Sequence, residues 1–197
     1  MSISSTHPPA HAVMPERRGD APPPGARIPS HYRWCVGCGS DHAHGLHLRV
    51  SAGDGLTVRG DFTVSEDHQG APGLAHGGII STAFDEVLGA LNWLLGAPVV
   101  TARLEVDFTR PVPVGTTMRI EAHVTGMQGR KVFTAARGFL ADGVLAAEAR
   151  ALFIQVPFEH FLRHGEQRIV QQAIDDRAKG APAWRRDAVD GDVDVNP

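Results

Sequence analysis

A long stretch of apolar residues at helical spacing lies in the middle of the chain. The apolar positions cover most of the circumference, and a helix that is apolar nearly all round is buried. Gly96 and Pro98 follow this stretch, and both residue types commonly end helices. The pattern therefore predicts one buried helix over residues 78–95. Its apolar positions are Ile79, Ile80, Ala83, Phe84, Val87, Leu88, Leu91, Leu94 and Leu95.

Segments on both sides of this helix alternate between apolar and polar residues, which is the period of a half-buried strand. Two predicted strands, over residues 46–50 and 56–64, precede the helix and are joined by a turn containing glycine and aspartate. Four more are predicted after it, completing a meander of antiparallel neighbours, near residues 102–108, 117–124, 130–140 and 144–156. Pro111 and Pro113 are expected to mark a bend. This order predicts an α+β fold, with a helix against one face of an antiparallel sheet.

The two ends of the chain lack this patterning. Residues 1–30 contain many prolines and few large apolar side chains, so they are predicted to be a disordered tail. Residues 158–178 have an amphipathic helical pattern, and the polar stretch that follows has no usable period. A chain of 197 residues suits one globular core. We therefore expect one domain over residues 31–157, followed by a C-terminal helix and polar tail over residues 158–197.

Charge and composition exclude several classes of function. The formal net charge is −3, so the chain has no basic field for gripping nucleic acid. No apolar run approaches the roughly 18 residues that a membrane span needs. The N-terminal stretch lacks the features of a signal or organellar presequence, and the two cysteines do not make a disulfide framework. We expect a cytoplasmic protein without a cofactor.

The candidate chemistry begins where a glycine-rich segment leads into the predicted helix. His76, Gly77 and Gly78 stand at this junction, and the glycines let a ligand approach the backbone. The first N–H groups of a helix have no intrahelical partner and lie at its positive end, so they can hold a carbonyl oxygen that becomes negative during attack. Losing one such donor typically costs about 3 to 4 kcal/mol of transition-state stabilisation. The alternative is that the motif serves only capping and close packing.

Asp85 is the second candidate, because a carboxylate among apolar helix residues can activate water or attack an acyl carbon itself. Gly77 and Asp85 are eight residues apart, which is roughly 12 Å along one helix. One side chain cannot close that gap. If both groups act on one carbonyl, they come most simply from different subunits of a two-fold dimer. The alternative is a helix carboxylate paired with an arginine.

Together these residues resemble a known family. Residues 68–78, then Asp85 and Glu86, then residues 101–104, resemble the hotdog-fold acyl-CoA thioesterases of the phenylacetate-pathway and thioesterase-superfamily-member type. The turns at residues 110–113 and 129–131 fit as well. The resemblance covers roughly residues 33–156, and the spacing from His-Gly-Gly to the aspartate is its most specific part.

The resemblance implies a sheet wrapped round a central helix, a homodimer with a continuous sheet, and often a dimer of dimers. The implied reaction is hydrolysis of an acyl-CoA thioester to free acid and CoA. In it Gly77 supplies the oxyanion-binding N–H, and His76 orients the loop or the thioester. Asp85 of the partner chain acts as base or nucleophile, and Thr101 helps to place the attacking water.

Other positions are expected to contact the substrate. Gly78 allows close approach, and Arg110, Arg130 and Lys131 can meet the phosphates of CoA, although solvated surface charge is an equal alternative for each. Many relatives have asparagine six residues before the histidine, where this chain has Gly70. Gln69 is the adjacent amide that can substitute for it.

The two cysteines leave a further alternative. Cys35 and Cys38, with His42, His44 and His47 nearby, offer enough ligands for a tetrahedral zinc site. A second strong ligand pair is missing, and the same cysteine spacing resembles the entry segment of this thioesterase group. Thiol packing without a metal is therefore the preferred interpretation. Three hypotheses remain: an acyl-CoA thioesterase, a non-hydrolytic module that binds acyl thioesters, and a zinc-stabilised interaction protein. Hydration of an acyl thioester ranks lower.

Overall fold

The computed structural model describes residues 5–178 as a sheet with one long helix against its face. The strands are β1 (Arg27–Ile28), β2 (Arg49–Ala52), β3 (Thr57–Thr63), β4 (Gln69–Ala71), β5 (Leu74–Ala75), β6 (Val99–Phe108), β7 (Thr117–Gln128), β8 (Lys131–Phe139) and β9 (Leu145–Gln155). The helices are α1 (Gly77–Ala90), α2 (Asn92–Leu95), α3 (Phe158–His164) and α4 (Gln167–Ala178). None of these helices is long and apolar enough to cross a membrane. The predicted polar tail after residue 178 lies outside the described residues.

Seven strands form one antiparallel sheet in the order β1-β2-β3-β7-β8-β9-β6. Helix α1 packs on one face of this sheet, and its side chains Ala83, Phe84, Val87 and Leu88 are fully buried. The burial arises because apolar residues face the helix from several strands while polar residues alternate outward. The predicted α+β arrangement is confirmed.

The helical stretch is confirmed but is not continuous. Helix α1 begins at Gly77, one residue earlier than predicted, and ends at Ala90. Leu91 separates it from the single turn of α2, and Gly96 follows with a φ of 82°. A left-handed residue at this position favours glycine, which explains why the helical stretch ends there.

The strand order differs from a simple meander. Strands β7, β8 and β9 are successive neighbours, but β6 lies at the edge of the sheet beside β9. Residues 109–116 therefore cross from one edge of the sheet to its middle instead of forming a local bend. On the way, Val112 becomes buried and its carbonyl accepts a hydrogen bond from the N–H of Ala75 at 2.9 Å. Val114 donates to the carbonyl of Gly73 at 2.9 Å. The crossing thus supports the glycine-rich segment that precedes α1.

The two end segments pack against this framework. The proline-rich segment has little regular structure of its own, yet Val13 pairs with Met127 of β7 and the N–H of Arg18 donates to the carbonyl of Leu94. The single C-terminal helix predicted from the amphipathic pattern is two helices, separated at Gly165. A Cβ at Gly165 would lie 2.6 Å from the carbonyl oxygen of Phe161, so the chain turns tightly there.

Candidate active site

The start of α1 presents one backbone donor. His76 is the N-cap residue, and its Nδ1 accepts a hydrogen bond from the N–H of Gly78 at 2.9 Å. The N–H of Gly77 makes no hydrogen bond within residues 5–178. Because this group lies at the positive end of the helix and is exposed, it is available to an incoming oxygen atom. Of the two predicted glycines, only Gly77 keeps its N–H available.

The segment that leads into α1 is held by its own side chains. The amide of Gln69 accepts from the N–H of Gly73 at 2.7 Å and donates to the carbonyl of Glu66 at 2.9 Å. A Cβ at Gly70 would lie 2.7 to 2.9 Å from atoms of His76. An asparagine at position 70 would therefore displace His76. The amide of Gln69 is engaged in the loop in this chain.

Asp85 lies two turns further along α1 and has a partner on β6. The hydroxyl of Thr101 donates to Oδ1 of Asp85 at 2.9 Å. The register between β6 and β9 shifts between Thr101 and Arg103. Ala102 therefore packs, like Val100, in a second apolar cluster on the side of the sheet that faces away from α1. Such a bulge changes the direction of neighbouring side chains. It leaves Thr101 in contact with Asp85 and returns Leu104 to the core below α1.

Burial is the main influence on the carboxyl group of Asp85. It raises the pKa of Asp85 because a charged carboxylate loses water contacts there, while the hydrogen bond from Thr101 works in the opposite direction. Charges on Glu86 and Cys35 raise this pKa further, and His31 lowers it. A carboxylate that is poorly hydrated and aimed at a cleft is a stronger proton acceptor than an ordinary surface aspartate.

A cleft of about 380 Å³ opens beside Asp85 and Thr101. Its walls are mainly apolar, and the C-terminal helices α3 and α4 supply one side of them. The apolar lining includes Trp93, Phe153, Phe158, Phe161, Ile169 and Val170. Such a cavity, with few polar groups at one end, is the usual form of a site for a small apolar ligand. Gly77 is not among the residues that line it.

The predicted basic residues are divided between the two ends of the sheet. Lys131 pairs with Ile154 of β9, and Ile154 pairs on its other side with Val100 of β6. Arg130 and Lys131 therefore lie at the end of the sheet that holds Thr101. Arg110 follows Phe108, at the other end. A Cβ at Gly77 would lie 3.5 Å from the ring of Phe108, so Arg110 is at the Gly77 end. The basic residues are therefore separated in the same way as Gly77 and Asp85, with one group at each end of the sheet.

Four side chains that sequence reasoning did not bring together meet behind the cleft. His31, Cys35, Cys38 and Glu86 place one donor atom each within 4.8 Å of one another. The histidines proposed from sequence lie elsewhere: Nδ1 of His44 is 3.0 Å from Asp67, and Nδ1 of His47 is 3.0 Å from the carbonyl of Gly39. A histidine four residues before the first cysteine was the available signal for His31. No sequence pattern indicated Glu86 as a potential metal ligand.

Mutual hydrogen bonding perturbs this cluster strongly. The contact between the two thiols lowers the pKa of Cys35 and raises that of Cys38, because one sulfur accepts the proton that the other retains. Burial lowers the pKa of His31, but its contacts with Cys35 and Glu86 outweigh burial and raise the value to about 10.

Comparison with known proteins finds a family that part of this chain matches. Residues 72–147 match the family described as "Thioesterase superfamily". Acyl-coenzyme A thioesterase THEM4 of Xenopus laevis is 42% identical over 89 residues, which are 45% of this chain and 40% of that protein. The chain thus spans about two fifths of the length of this curated relative. The matched segment contains Gly77, Asp85 and Thr101.

Solved structures extend the likeness to the fold. The crystal structure of a thioesterase superfamily protein is 27% identical, with a TM-score of 0.59 over 69% of this chain and 70% of that one. PaaI of E. coli, from the phenylacetic acid degradation operon, has a TM-score of 0.54 at 18% identity, over 58% of this chain and 83% of its own. Residues 72–147 are therefore similar to the thioesterase superfamily, and the fold is of the hotdog type.

Proposed function

We propose that this protein hydrolyses acyl-CoA thioesters to a free acid and CoA, at sites shared between two subunits. The observation that carries the proposal is the pair of Asp85 and Thr101 at one end of an apolar cleft. Asp85 lies on α1, the helix whose first N–H, that of Gly77, has no partner among the described residues. The name of the Xenopus laevis relative, an acyl-coenzyme A thioesterase, supports this choice of substrate.

In the proposed reaction, Asp85 takes a proton from water while the water oxygen attacks the thioester carbonyl carbon. The carbonyl oxygen becomes negative and accepts a hydrogen bond from Gly77 of the partner subunit. The tetrahedral intermediate then expels the CoA sulfur, which takes up the proton, and leaves the free acid. Thr101 holds Oδ1 of Asp85, so that Oδ2 faces the water. His76, through its bond to Gly78, keeps the start of the helix in place.

The arrangement also favours a dimer. Gly77 and Asp85 are separated by roughly 12 Å along α1, which is too far for both to act on one carbonyl within one chain. Strand β6 is an edge strand of ten residues, and within residues 5–178 it pairs only with β9. Phe108, at the end of β6 beside Gly77, is 53% exposed. A second copy that pairs with β6 would cover Phe108 and bring its own Asp85 towards Gly77.

The lining of the cleft defines the expected acyl group. Trp93 and the aromatic residues of α3 offer an apolar surface but few hydrogen-bonding groups, so an apolar or aromatic acyl chain fits better than acetyl. Gly78, Arg110, Arg130 and Lys131 remain the proposed contacts of the CoA portion, with the basic residues meeting its phosphates.

A panel of CoA thioesters tests the proposed activity. Following free thiol with acetyl-, hexanoyl-, decanoyl- and benzoyl-CoA, we expect turnover, with kcat/KM at least about tenfold higher for hexanoyl- or benzoyl-CoA than for acetyl-CoA. Binding of the same thioesters without thiol release would instead identify a non-hydrolytic acyl-thioester module. If the protein neither binds nor hydrolyses any member of the panel, both functions are contradicted.

Thr101 gives a prediction about positioning. Thr101→Val preserves the shape of the side chain but removes the hydrogen bond to Asp85, so kcat is expected to fall about 10- to 100-fold with little change in KM. Thr101→Ser retains the hydroxyl and should restore most of the lost rate. Steady-state kinetics on both variants provide the check. A rise in KM with kcat unchanged would show that Thr101 serves substrate binding instead.

A further inference from the structure

Four potential metal ligands converge from two parts of the chain beside the cleft. His31 and the pair Cys35 and Cys38 come from the segment between β1 and β2, and Glu86 comes from α1, next to Asp85. The segment and the helix are distant in sequence. Their meeting therefore depends on the tertiary fold and not on the cysteine spacing alone.

The distances fit a small tetrahedral ion. Cys35 Sγ lies 3.2 Å from Oε2 of Glu86, and Cys38 Sγ lies 3.3 Å from Nδ1 of His31. Nδ1 of His31 is 3.5 Å from Oε1 of Glu86. Zinc bonds of about 2.3 Å to sulfur and 2.0 to 2.2 Å to nitrogen or oxygen give tetrahedral edges of about 3.3 to 3.8 Å. The four donor atoms all lie within 4.8 Å of one another, so the more distant pairs have to move closer to admit the ion.

The loop round the cysteines is shaped for this convergence. A Cβ at Gly37 would lie 2.4 Å from Oε2 of Glu86, so only glycine lets the loop approach that carboxylate. The N–H of Gly37 donates to Sγ of Cys35 at 3.3 Å, and the N–H of Gly39 donates to the carbonyl of Cys35 at 2.9 Å. An N–H directed at sulfur stabilises a thiolate and orients it, as outer contacts do in metal sites.

The charges at this point also favour a cation. Glu86 is only 14% exposed at its side chain, and it stands beside the carboxylate of Asp85 and two cysteines. Burying several acidic groups together costs free energy unless a positive charge compensates them. One imidazole compensates a single charge. A divalent ion would compensate two thiolates.

We propose that His31, Cys35, Cys38 and Glu86 bind one Zn²⁺ ion as a structural site that fastens the segment of residues 31–38 to helix α1. Two thiolates with an imidazole and a carboxylate select zinc over magnesium or calcium, which prefer oxygen ligands. On binding, any proton held by the sulfurs or by the ligating nitrogen of His31 is released to solvent, so that both cysteines bind as thiolates and the imidazole binds in its neutral form. Because His31 and Tyr32 line the cleft, the ion would also fix that wall beside Asp85. This inference does not depend on the thioesterase proposal.

The test is metal analysis of the full chain, purified without chelators and dialysed against zinc-containing and then metal-free buffer. We expect close to one zinc per chain, thiols that resist a thiol reagent until a chelator is added, and a lower Tm after chelation. Substitution by Co²⁺ should give a sulfur-to-cobalt charge-transfer band and the intense visible absorption of a tetrahedral site. These spectra need no variant and no activity.

Variants then assign the ligands. Cys38→Ser and His31→Ala should each lower zinc content or affinity at least about tenfold, whereas His44→Ala, a histidine of the same segment paired with Asp67, should retain one zinc. A native chain that binds no zinc, with the cysteines free or joined in a disulfide, would overturn the proposal. So would zinc lost in His44→Ala and retained in Cys38→Ser. Circular dichroism of each variant separates loss of metal from loss of fold.

Discussion

Replacing Asp85 with asparagine is expected to reduce kcat for acyl-CoA hydrolysis by roughly 10² to 10⁴, because it removes the proposed proton acceptor. The amide oxygen of asparagine can still accept the hydrogen bond from Thr101, so the local geometry should persist. The amide cannot take a proton from water. We therefore expect KM to change little, since the apolar lining of the cleft and the proposed CoA contacts are intact. The measurement is thiol release under saturating substrate.

Asp61→Asn is the matched control for this variant. Asp61 lies on β3 and pairs with Arg59 at the surface, away from the cleft. Its replacement by asparagine makes the same chemical change and should leave kcat within about twofold, as is usual for a surface site. Equal rates for Asp85→Asn and the native protein would exclude Asp85 as base or nucleophile. A single turnover in water labelled with ¹⁸O separates those two roles, because a nucleophilic Asp85 would itself acquire the label.

Gly77→Pro is expected to reduce kcat by about 10² to 10³, because it removes the N–H that is the proposed oxyanion donor. Proline is well tolerated at the first position of a helix, where Gly77 stands. His76, which precedes it, has φ −68° and ψ 136°, the extended conformation that a residue before proline prefers. A Cβ at position 77 would meet Phe108 at an ordinary 3.5 Å. The helix should therefore form as in the native protein.

Gly77→Ala isolates the role of the N–H in this experiment. It adds the same Cβ but retains the donor, so the ratio of kcat between the alanine and proline variants measures the contribution of the hydrogen bond. Similar rates for the two variants, with circular dichroism unchanged, would exclude the Gly77 N–H as the oxyanion donor.

Mixing the two inactive variants tests whether the site is shared between subunits. A mixed dimer of Asp85→Asn and Gly77→Pro chains contains one site with an intact Gly77 and the partner's intact Asp85. Random exchange makes half of all dimers mixed, so about a quarter of native activity should return after co-refolding or co-expression. If both groups served a site within one chain, mixing would give only the average of the two residual rates.

The periodicity of the sequence was sufficient to predict the main framework. The apolar positions of α1, the two-residue alternation of β7 and the stop at Gly96 are local properties, so each of these elements could be predicted from its own residues. The spacing of Gly77 and Asp85 likewise follows from helix geometry alone. These features decided the fold class and the separation of the two proposed half-sites.

The bulge at Thr101 shows where periodicity fails. Alternation assigned Ala102 to the same face as Leu104, but the register shift moves Ala102 to the opposite cluster and leaves Thr101 beside Asp85. The bulge depends on how β6 pairs with β9, which sequence alternation within β6 does not reveal. The order of strands at the sheet edge likewise depends on pairing between strands. The path of residues 5–30 depends on partners such as Met127 and Leu94, which lie far away in sequence.

The sequence by itself determined the elements of this protein, the helix that carries His76 to Asp85 and the residue types offered for chemistry. Only the tertiary structure decided which of these residues meet: Thr101 with Asp85, the C-terminal helices with the apolar cleft, and His31 with Cys35, Cys38 and Glu86 instead of the histidines that follow the cysteines in sequence. The physical reason is that helix and strand periods arise from local backbone geometry, whereas a site requires contacts between residues distant in the chain, and these are set by packing.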